Sequence, residues 1–123
     1  MKRKNNLLIL ENDILNQKVY KAILSKDYKI KMCGDDVEYY AALRENEYDL
    51  FIIDLSLNCE KNGIDLISEL RKTERYKDIP IIVVTAFVSI KDREIAMDAG
   101  ATMFIRKPFN RDNLLMEIKK HIN

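Results

Sequence analysis

The sequence predicts a three-layer α/β fold, in which a doubly wound, five-stranded parallel sheet is covered by five helices. Three observations support this fold class. Short apolar runs alternate along the chain with segments that carry apolar residues at helical spacing. The 123 residues suffice for one domain with a substantial core. Strands that alternate with helices imply right-handed crossovers and therefore a parallel sheet.

The strands are predicted from short runs rich in aliphatic and aromatic residues. Tyr28–Met32 alternates apolar residues with Lys29 and Lys31, a pattern typical of an exposed edge strand. Thr102–Ile105 is a fifth strand candidate. The other three are continuous apolar runs, as expected of strands covered on both faces: Leu7–Leu10, Phe51–Ile53 and Ile81–Val84.

Five helices are predicted from apolar residues spaced three or four apart. Asp13 can cap the first helix and Asn110 the last, because short polar side chains accept hydrogen bonds from the first turn. Gly100 stands where a left-handed residue would end the fourth helix. The marking positions are Val19, Ile23 and Leu24; Val37, Tyr40 and Ala41; Ile64, Ile67 and Leu70; Ile95, Ala96 and Ala99; and Leu114, Ile118 and Ile122.

Composition excludes several classes of function. The formal net charge is +1, from 21 basic and 20 acidic residues, so nothing indicates a nucleic-acid or membrane partner. No apolar run approaches the ~20 residues of a membrane span. Cys33 and Cys59 have neither metal-site nor disulfide-framework spacing, which favours free thiols and a cytoplasmic location. Without linkers or repeats, we expect one domain over residues 1–123, with residues 1–6 as a flexible basic tail.

Polar side chains follow the carboxyl ends of four predicted strands. Glu11 and Asn12 follow the first, Asp54 ends the third, Thr85 the fourth, and Lys107 follows the fifth. In open parallel sheets, binding sites lie at these strand ends, where the strand order reverses. Buried charges are costly unless they are paired or bind a metal. The sequence therefore predicts a charged site at this edge.

In this order, the residues make the chain resemble the receiver (response regulator) family over about residues 7–122. The matching segments are LLILENDILNQKV, DLFIIDLSL, PIIVVTAF and AGATMFIRKPF. The resemblance implies the flavodoxin-like strand order 2-1-3-4-5 and a role in a two-component or phosphorelay signalling system. It also implies that the chain is not an enzyme beyond promoting its own phosphorylation and dephosphorylation.

The resemblance further implies a phosphoacceptor and a metal site. Asp54 matches the aspartate whose carboxylate takes a phosphoryl group from a phosphohistidine or a small phosphodonor. Glu11 and Asn12 match the acidic pair that holds Mg²⁺ together with Asp54. The backbone carbonyl of Ser56 matches a further ligand of that metal.

Four more residues match the parts that respond to the phosphoryl group. Thr85 matches the hydroxyl and Lys107 the ammonium that bond phosphoryl oxygens. Phe104 matches an aromatic switch that turns inward when the hydroxyl moves, although ordinary packing explains a phenylalanine there equally well. The bond before Pro108 matches a junction that is commonly cis, a geometry plausible before proline.

The sequence departs from the family pattern in two places. Asn12 replaces a metal-binding aspartate, and an amide oxygen brings no charge. A charge pair ~4 Å apart at an effective dielectric constant of ~20 is worth about 4 kcal/mol before desolvation, so we expect weaker Mg²⁺ binding. Asp13 either compensates through a water or caps the helix. The loop at residues 58–62 is one residue longer than the family norm, which affects access and partner contacts.

Three functions follow as hypotheses. The leading one is a phosphoacceptor switch that is served by a histidine kinase or histidine phosphotransfer protein. It would signal to a protein target through the surface around the fourth helix, fifth strand and fifth helix. The second is a receiver-like interaction module that takes no phosphate, motivated by Asn12. The third, an aspartyl phosphatase, is disfavoured because Ser56 stands where such enzymes carry a second aspartate. His121 and Cys59 carry no pattern that gives them a role.

Overall fold

The computed structural model describes residues 4–55, 62–86 and 89–122, and shows the predicted alternation of strands and helices. The strands are β1 (Asn6–Leu10), β2 (Lys29–Cys33), β3 (Leu50–Ile53), β4 (Ile81–Thr85) and β5 (Met103–Arg106). The helices are α1 (Ile14–Leu24), α2 (Asp36–Glu45), α3 (Gly63–Arg71), α4 (Ile90–Ala99) and α5 (Arg111–His121). Within the described parts of the chain, no helix has the length and apolar character needed to cross a membrane.

The five strands form one parallel sheet in the order β2-β1-β3-β4-β5, which confirms the predicted fold and strand order. β2 is an edge strand, and Lys29 and Lys31 are exposed on it. The order reverses between β1 and β3. In open α/β sheets, ligands bind at the carboxyl ends of the strands beside such a reversal.

Two hydrophobic clusters cover the two faces of the sheet. The first contains Leu8 and Leu10 of β1 and packs under α2, α3 and α4. The second contains Leu7 and Ile9 and packs under α1 and α5. Successive residues of a strand point to opposite faces, so β1 contributes to both clusters. The apolar runs seen in the sequence are therefore strands buried on both sides.

The structure corrects the predicted buried faces of α1 and α2. Val19 is 43% exposed and Val37 is 73% exposed, whereas Tyr20 and Tyr39 are each only 1% exposed. Leu24 is buried as predicted, so the correction concerns the two valines, which face solvent while the two tyrosines enter the core. A tyrosine carries a large apolar ring, and burying that ring gains more than burying a neighbouring valine.

The predicted tail is also shorter than expected. Asn6 is already in β1, and its backbone N–H donates to Asp49 Oδ2 at 2.8 Å. Residues 1–3 lie outside the described part of the chain. The predicted caps are confirmed: Asp13 and Asn110 accept hydrogen bonds from the first turns of α1 and α5, and Gly100 ends α4 with φ of 122°.

Arg71 joins several segments at the edge of the sheet opposite the predicted site. Its guanidinium donates five hydrogen bonds, among them bonds to the carbonyls of Gly100 at 2.8 Å and Ile79 at 2.7 Å. A lysine ammonium has three donors at one point and cannot reach all these acceptors. We expect Arg71→Lys to lower the free energy of unfolding in urea by about 2–3 kcal/mol.

Arg75→Lys is the matched control for this prediction. The Arg75 side chain is 51% exposed and pairs with Glu47. Exposed ion pairs contribute at most about 1 kcal/mol, so the control should differ little from wild type. Equal losses in the two variants would contradict the role given to Arg71.

The Tyr39 hydroxyl is buried and has no hydrogen-bond partner among the described residues. We expect Tyr39→Phe to raise the free energy of unfolding at pH 7 by about 1 kcal/mol, because it removes an unsatisfied polar group. Tyr48→Phe is the control and should destabilise, since the Tyr48 hydroxyl donates to the Ala42 carbonyl at 2.9 Å. A destabilised Tyr39→Phe variant would contradict this reasoning.

The same variant carries a pH signature. Burial raises the pKa of Tyr39 above its ordinary value of 10.0. The folded protein keeps Tyr39 protonated, whereas the unfolded chain can ionise it once the pH passes about 10. Ionisation favours the unfolded state, so the wild type loses stability as the pH rises above this value. The advantage of Tyr39→Phe should therefore grow above pH ~10 in urea titrations.

Candidate functional site

The candidate site lies at the carboxyl ends of β1, β3, β4 and β5. Glu11 follows β1, Asp54 follows β3, Thr85 ends β4, and Lys107 follows β5. Glu11, Asp54 and Thr85 are 1%, 2% and 0% exposed, and the Lys107 side chain is 13% exposed. Backbone hydrogen bonds continue just beyond the strands, from Asp54 N–H to the Leu10 carbonyl and from Lys107 N–H to the Thr85 carbonyl. The sheet thus holds these residues in register.

Three of the predicted site residues are in direct contact. Lys107 Nζ donates to Glu11 Oε1 at 2.6 Å and to Asp54 Oδ2 at 2.8 Å. Two buried carboxylates therefore share one ammonium group. Such a cluster is tolerated because each carboxylate has the ammonium as a partner, and removing Lys107 would leave two buried carboxylates uncompensated.

Burial and pairing act in opposite directions on the charges of this cluster. Burial raises the pKa of Glu11, and the hydrogen bonds from Lys107 and from the Asp13 N–H offset this only in part. Burial acts to lower the pKa of Lys107, but its bonds to Asp54 and Glu11 outweigh burial and raise it. A lysine with a raised pKa carries its proton at neutral pH, so the site presents a positive charge beside Asp54.

Thr85 and Phe104 lie on the neighbouring strands β4 and β5. Thr85 is fully buried and is paired in register with Arg106. Phe104 is half-buried, pairs with Val83 and packs against the cluster under α2, α3 and α4. The Lys107–Pro108 peptide bond is cis. The phosphate-responsive roles of Thr85 and Phe104 stay predictions.

The loop between β1 and α1, residues 11–13, is called the acid loop, and it carries Asn12 and Asp13 at its exposed end. Asp13 caps α1 by accepting from the Asn16 N–H at 2.9 Å, which is one of the two interpretations given above. Its own N–H donates to Glu11 Oε2 at 3.1 Å. The predicted backbone ligand Ser56 and Cys59 both lie outside the described residues.

The donor set at this edge fits a hard divalent cation. Within residues 4–55, 62–86 and 89–122, no group of three or more His, Cys, Asp and Glu side chains is placed to hold a metal. The site instead offers the carboxylates of Glu11 and Asp54 and the amide oxygen of Asn12. Mg²⁺ is commonly held by one or two carboxylates and keeps several waters. That Glu11, Asn12 and Asp54 would hold such an ion, with one charge fewer than three acids supply, stays a prediction.

Two residues that the sequence pattern did not single out border the site. Gln17 Nε2 donates to the Glu11 carbonyl at 2.6 Å. The ring of Tyr20 stacks on Phe109, with centroids 5.2 Å apart. Burial, and then the charges of Glu11 and Asp54, raise the pKa of Tyr20. Gln17, Tyr20 and Leu24 share one face of α1 by their spacing of three and four, but this spacing alone does not single out that face, because Val19 and Ile23 mark an adjacent one.

Comparisons with known proteins agree with this geometry. Residues 7–119 match the sequence profile of the response regulator receiver domain. A solved structure, the receiver domain of the sensor histidine kinase PA1611 from Pseudomonas aeruginosa PAO1, superposes with a TM-score of 0.87 at 27% identity and 98% coverage of both chains. That structure is described as having a magnesium ion coordinated in its active site cleft.

Two curated relatives place the chain in the same group. It is 31% identical over 115 residues to the transcriptional regulatory protein CpxR of Klebsiella pneumoniae, covering 94% of this chain and 48% of CpxR. It is 27% identical over 118 residues to the polar-differentiation response regulator DivK of Brucella ovis, covering 95% of each. The chain thus spans about half the length of CpxR and nearly all of DivK. With a matching profile over most of its length and the observed strand order, the chain belongs to the response regulator receiver domains of two-component signalling systems.

Proposed function

We propose that residues 1–123 act as one receiver domain that accepts a phosphoryl group on Asp54 and signals through a changed surface. The observation that carries the proposal is the contact of the Lys107 ammonium with both Asp54 and Glu11. The cluster puts a nucleophilic carboxylate, a cation and a second acid at one point of the sheet edge. Phosphoryl transfer depends mainly on such positioning and on neutralising the moving charge.

In the proposed reaction, a carboxylate oxygen of Asp54 attacks phosphorus. The new P–O bond forms as the P–N bond of the donor phosphohistidine breaks, and the donor imidazole leaves with the electron pair. Lys107 moves from the carboxylate to a phosphoryl oxygen and keeps its proton throughout. Glu11, Asn12 and Asp54 would hold a Mg²⁺ ion, which would supply further positive charge for the phosphoryl oxygens.

The proposed output starts at Thr85. Its hydroxyl would bond a phosphoryl oxygen, and Phe104 would turn into the space that Thr85 leaves. Thr85 ends β4, and Phe104 lies on β5, the strand that is hydrogen-bonded to β4. This placement supports the proposed movement. The surface of α4, β5 and α5 would then change, and a downstream protein target would read it.

The proposed phosphodonor is a histidine kinase or histidine phosphotransfer protein. Ile14 and Leu15, at the start of α1, are 61% and 71% exposed directly after the acid loop. An apolar patch of this kind lets a donor helix dock beside Asp54. We propose the cytoplasm as the location. The Cys33 thiol is buried and is not in a disulfide, which supports a reducing compartment.

Incubation with acetyl phosphate and Mg²⁺ tests the proposal. We expect intact-protein mass spectrometry to show one phosphoryl adduct that hydroxylamine removes, as it does from an acyl phosphate. Peptide mapping after borohydride reduction should locate the adduct at Asp54. If no adduct forms at any Mg²⁺ concentration, the chain is an interaction module and the proposal fails.

A further inference from the structure

The side-chain amide of Gln17 makes a contact that the proposed function does not use. Gln17 lies in the first half of α1 and is half-buried. Its Nε2 donates to the carbonyl oxygen of Glu11 at 2.6 Å, six residues back along the chain. The contact ties the helix to the loop that carries Glu11 and Asn12.

Every polar group of Glu11 is bonded to another part of the protein. Its N–H donates to the Cys33 carbonyl at 2.9 Å, and its carboxylate accepts from Lys107 Nζ and from the Asp13 N–H. The remaining group is the carbonyl, and Gln17 donates to it. Glu11 is thus held rigidly, while the next residue, Asn12, is exposed.

The Glu11 carbonyl and the Asn12 N–H belong to one planar peptide unit. A donor that fixes the carbonyl therefore fixes the backbone from which the Asn12 side chain starts. The direction of that side chain matters more than it would for an aspartate. A carboxylate offers two equivalent oxygens, whereas an amide offers one oxygen and an NH₂ group that cannot bind a cation.

We propose that Gln17 is a positioning residue, which orients the Glu11–Asn12 peptide so that Asn12 presents its oxygen to a divalent cation. The proposal rests on the cation site of the proposed function and deepens it. Substituting a residue that orients a metal ligand by a hydrogen bond typically lowers metal affinity about 10- to 100-fold. Gln17 would act in this way on a neutral ligand, where orientation counts most.

The test uses Gln17→Met, which keeps the length of the side chain but has no donor, and Gln17→Leu as a second variant without a donor. Mn²⁺ binding is followed by electron paramagnetic resonance, and backbone ¹⁵N relaxation reports on the Asn12 amide in metal-free protein. We expect Gln17→Met to make the backbone N–H of Asn12 more mobile and to weaken Mn²⁺ binding about 10-fold. Urea unfolding of each variant checks that the fold is kept.

The control is the same substitution in an Asn12→Asp background. If Gln17 orients the side-chain oxygen of Asn12, Gln17→Met should weaken Mn²⁺ binding at most about threefold in the Asn12→Asp background, since either carboxylate oxygen can bind. A general structural role would weaken Mn²⁺ binding equally in both backgrounds. Equal losses overturn the inference, and so does an unchanged Asn12 amide or unchanged Mn²⁺ affinity in Gln17→Met. If the wild type itself binds no Mn²⁺, the proposed cation site and this inference fail together, a result distinct from the others.

Discussion

Asp54→Asn should abolish phosphoryl transfer to the protein while leaving it folded. The variant loses the attacking carboxylate oxygen, and removing a covalent nucleophile costs about 10³-fold or more in rate. An asparagine oxygen can still accept from Lys107, which also keeps its partner Glu11. We therefore expect a cooperative urea transition like that of the wild type and no adduct with acetyl phosphate and Mg²⁺.

Asp13→Asn is the matched control for this variant. Asp13 is an acid of the same loop region, and its side chain caps α1. Asparagine caps helices about as well as aspartate, so folding and phosphorylation should both be retained. An adduct on Asp54→Asn would place the phosphoacceptor at another residue. Loss of the adduct in both variants would show that general acidity near the site, and not Asp54, is what matters.

Asn12→Asp should strengthen Mg²⁺ binding by about 10- to 100-fold. A charge pair ~4 Å apart at an effective dielectric constant of ~20 is worth about 4 kcal/mol, and desolvation removes a large part of it. The half-saturating Mg²⁺ concentration for phosphorylation by acetyl phosphate should fall accordingly. Mn²⁺ titration gives the affinity without relying on phosphorylation.

Asn46→Asp adds the same charge at a distant position and serves as the control. Asn46 is exposed and follows α2, at the opposite end of the sheet from the site. It should leave the Mg²⁺ dependence unchanged. If Asn12→Asp takes phosphate and the wild type does not, the natural chain is the interaction module considered above. If the two bind Mg²⁺ equally, Asn12 is not a ligand.

Much of this fold could be predicted because the information is local. A run such as Ile81–Val84 is apolar at every position, as expected of a short strand that is buried on both faces. The contact of Lys107 with Glu11 and Asp54 follows from the topology, since parallel strands bring their carboxyl ends to one edge. The resemblance to receiver domains then implies a role for each of these three residues.

The remaining features depend on contacts that helical spacing does not encode. Tyr20 displaces Val19 from the core because its ring reaches Phe109, 89 positions further along the chain. Helical periodicity cannot choose between adjacent apolar residues without knowing such partners. Gln17 was overlooked for a related reason: a glutamine on a helix is usually solvated, and its acceptor is a backbone carbonyl that carries no sequence signal.

The bonds made by Arg71 have a consequence for how this molecule can evolve. They lie around the carbonyls of Gly100 and Ile79, at the start of β4 and β5, whereas Lys107, Glu11 and Asp54 lie beyond the opposite ends of the strands. The hydrogen bonds of Arg71 that stabilise the fold and the residues proposed to react with phosphate thus lie at opposite ends of the strands. Substitutions at the Arg71 end can make the domain more or less long-lived without altering how Asp54 reacts. Conversely, position 12 can carry an asparagine without cost to the core, because its side chain is exposed.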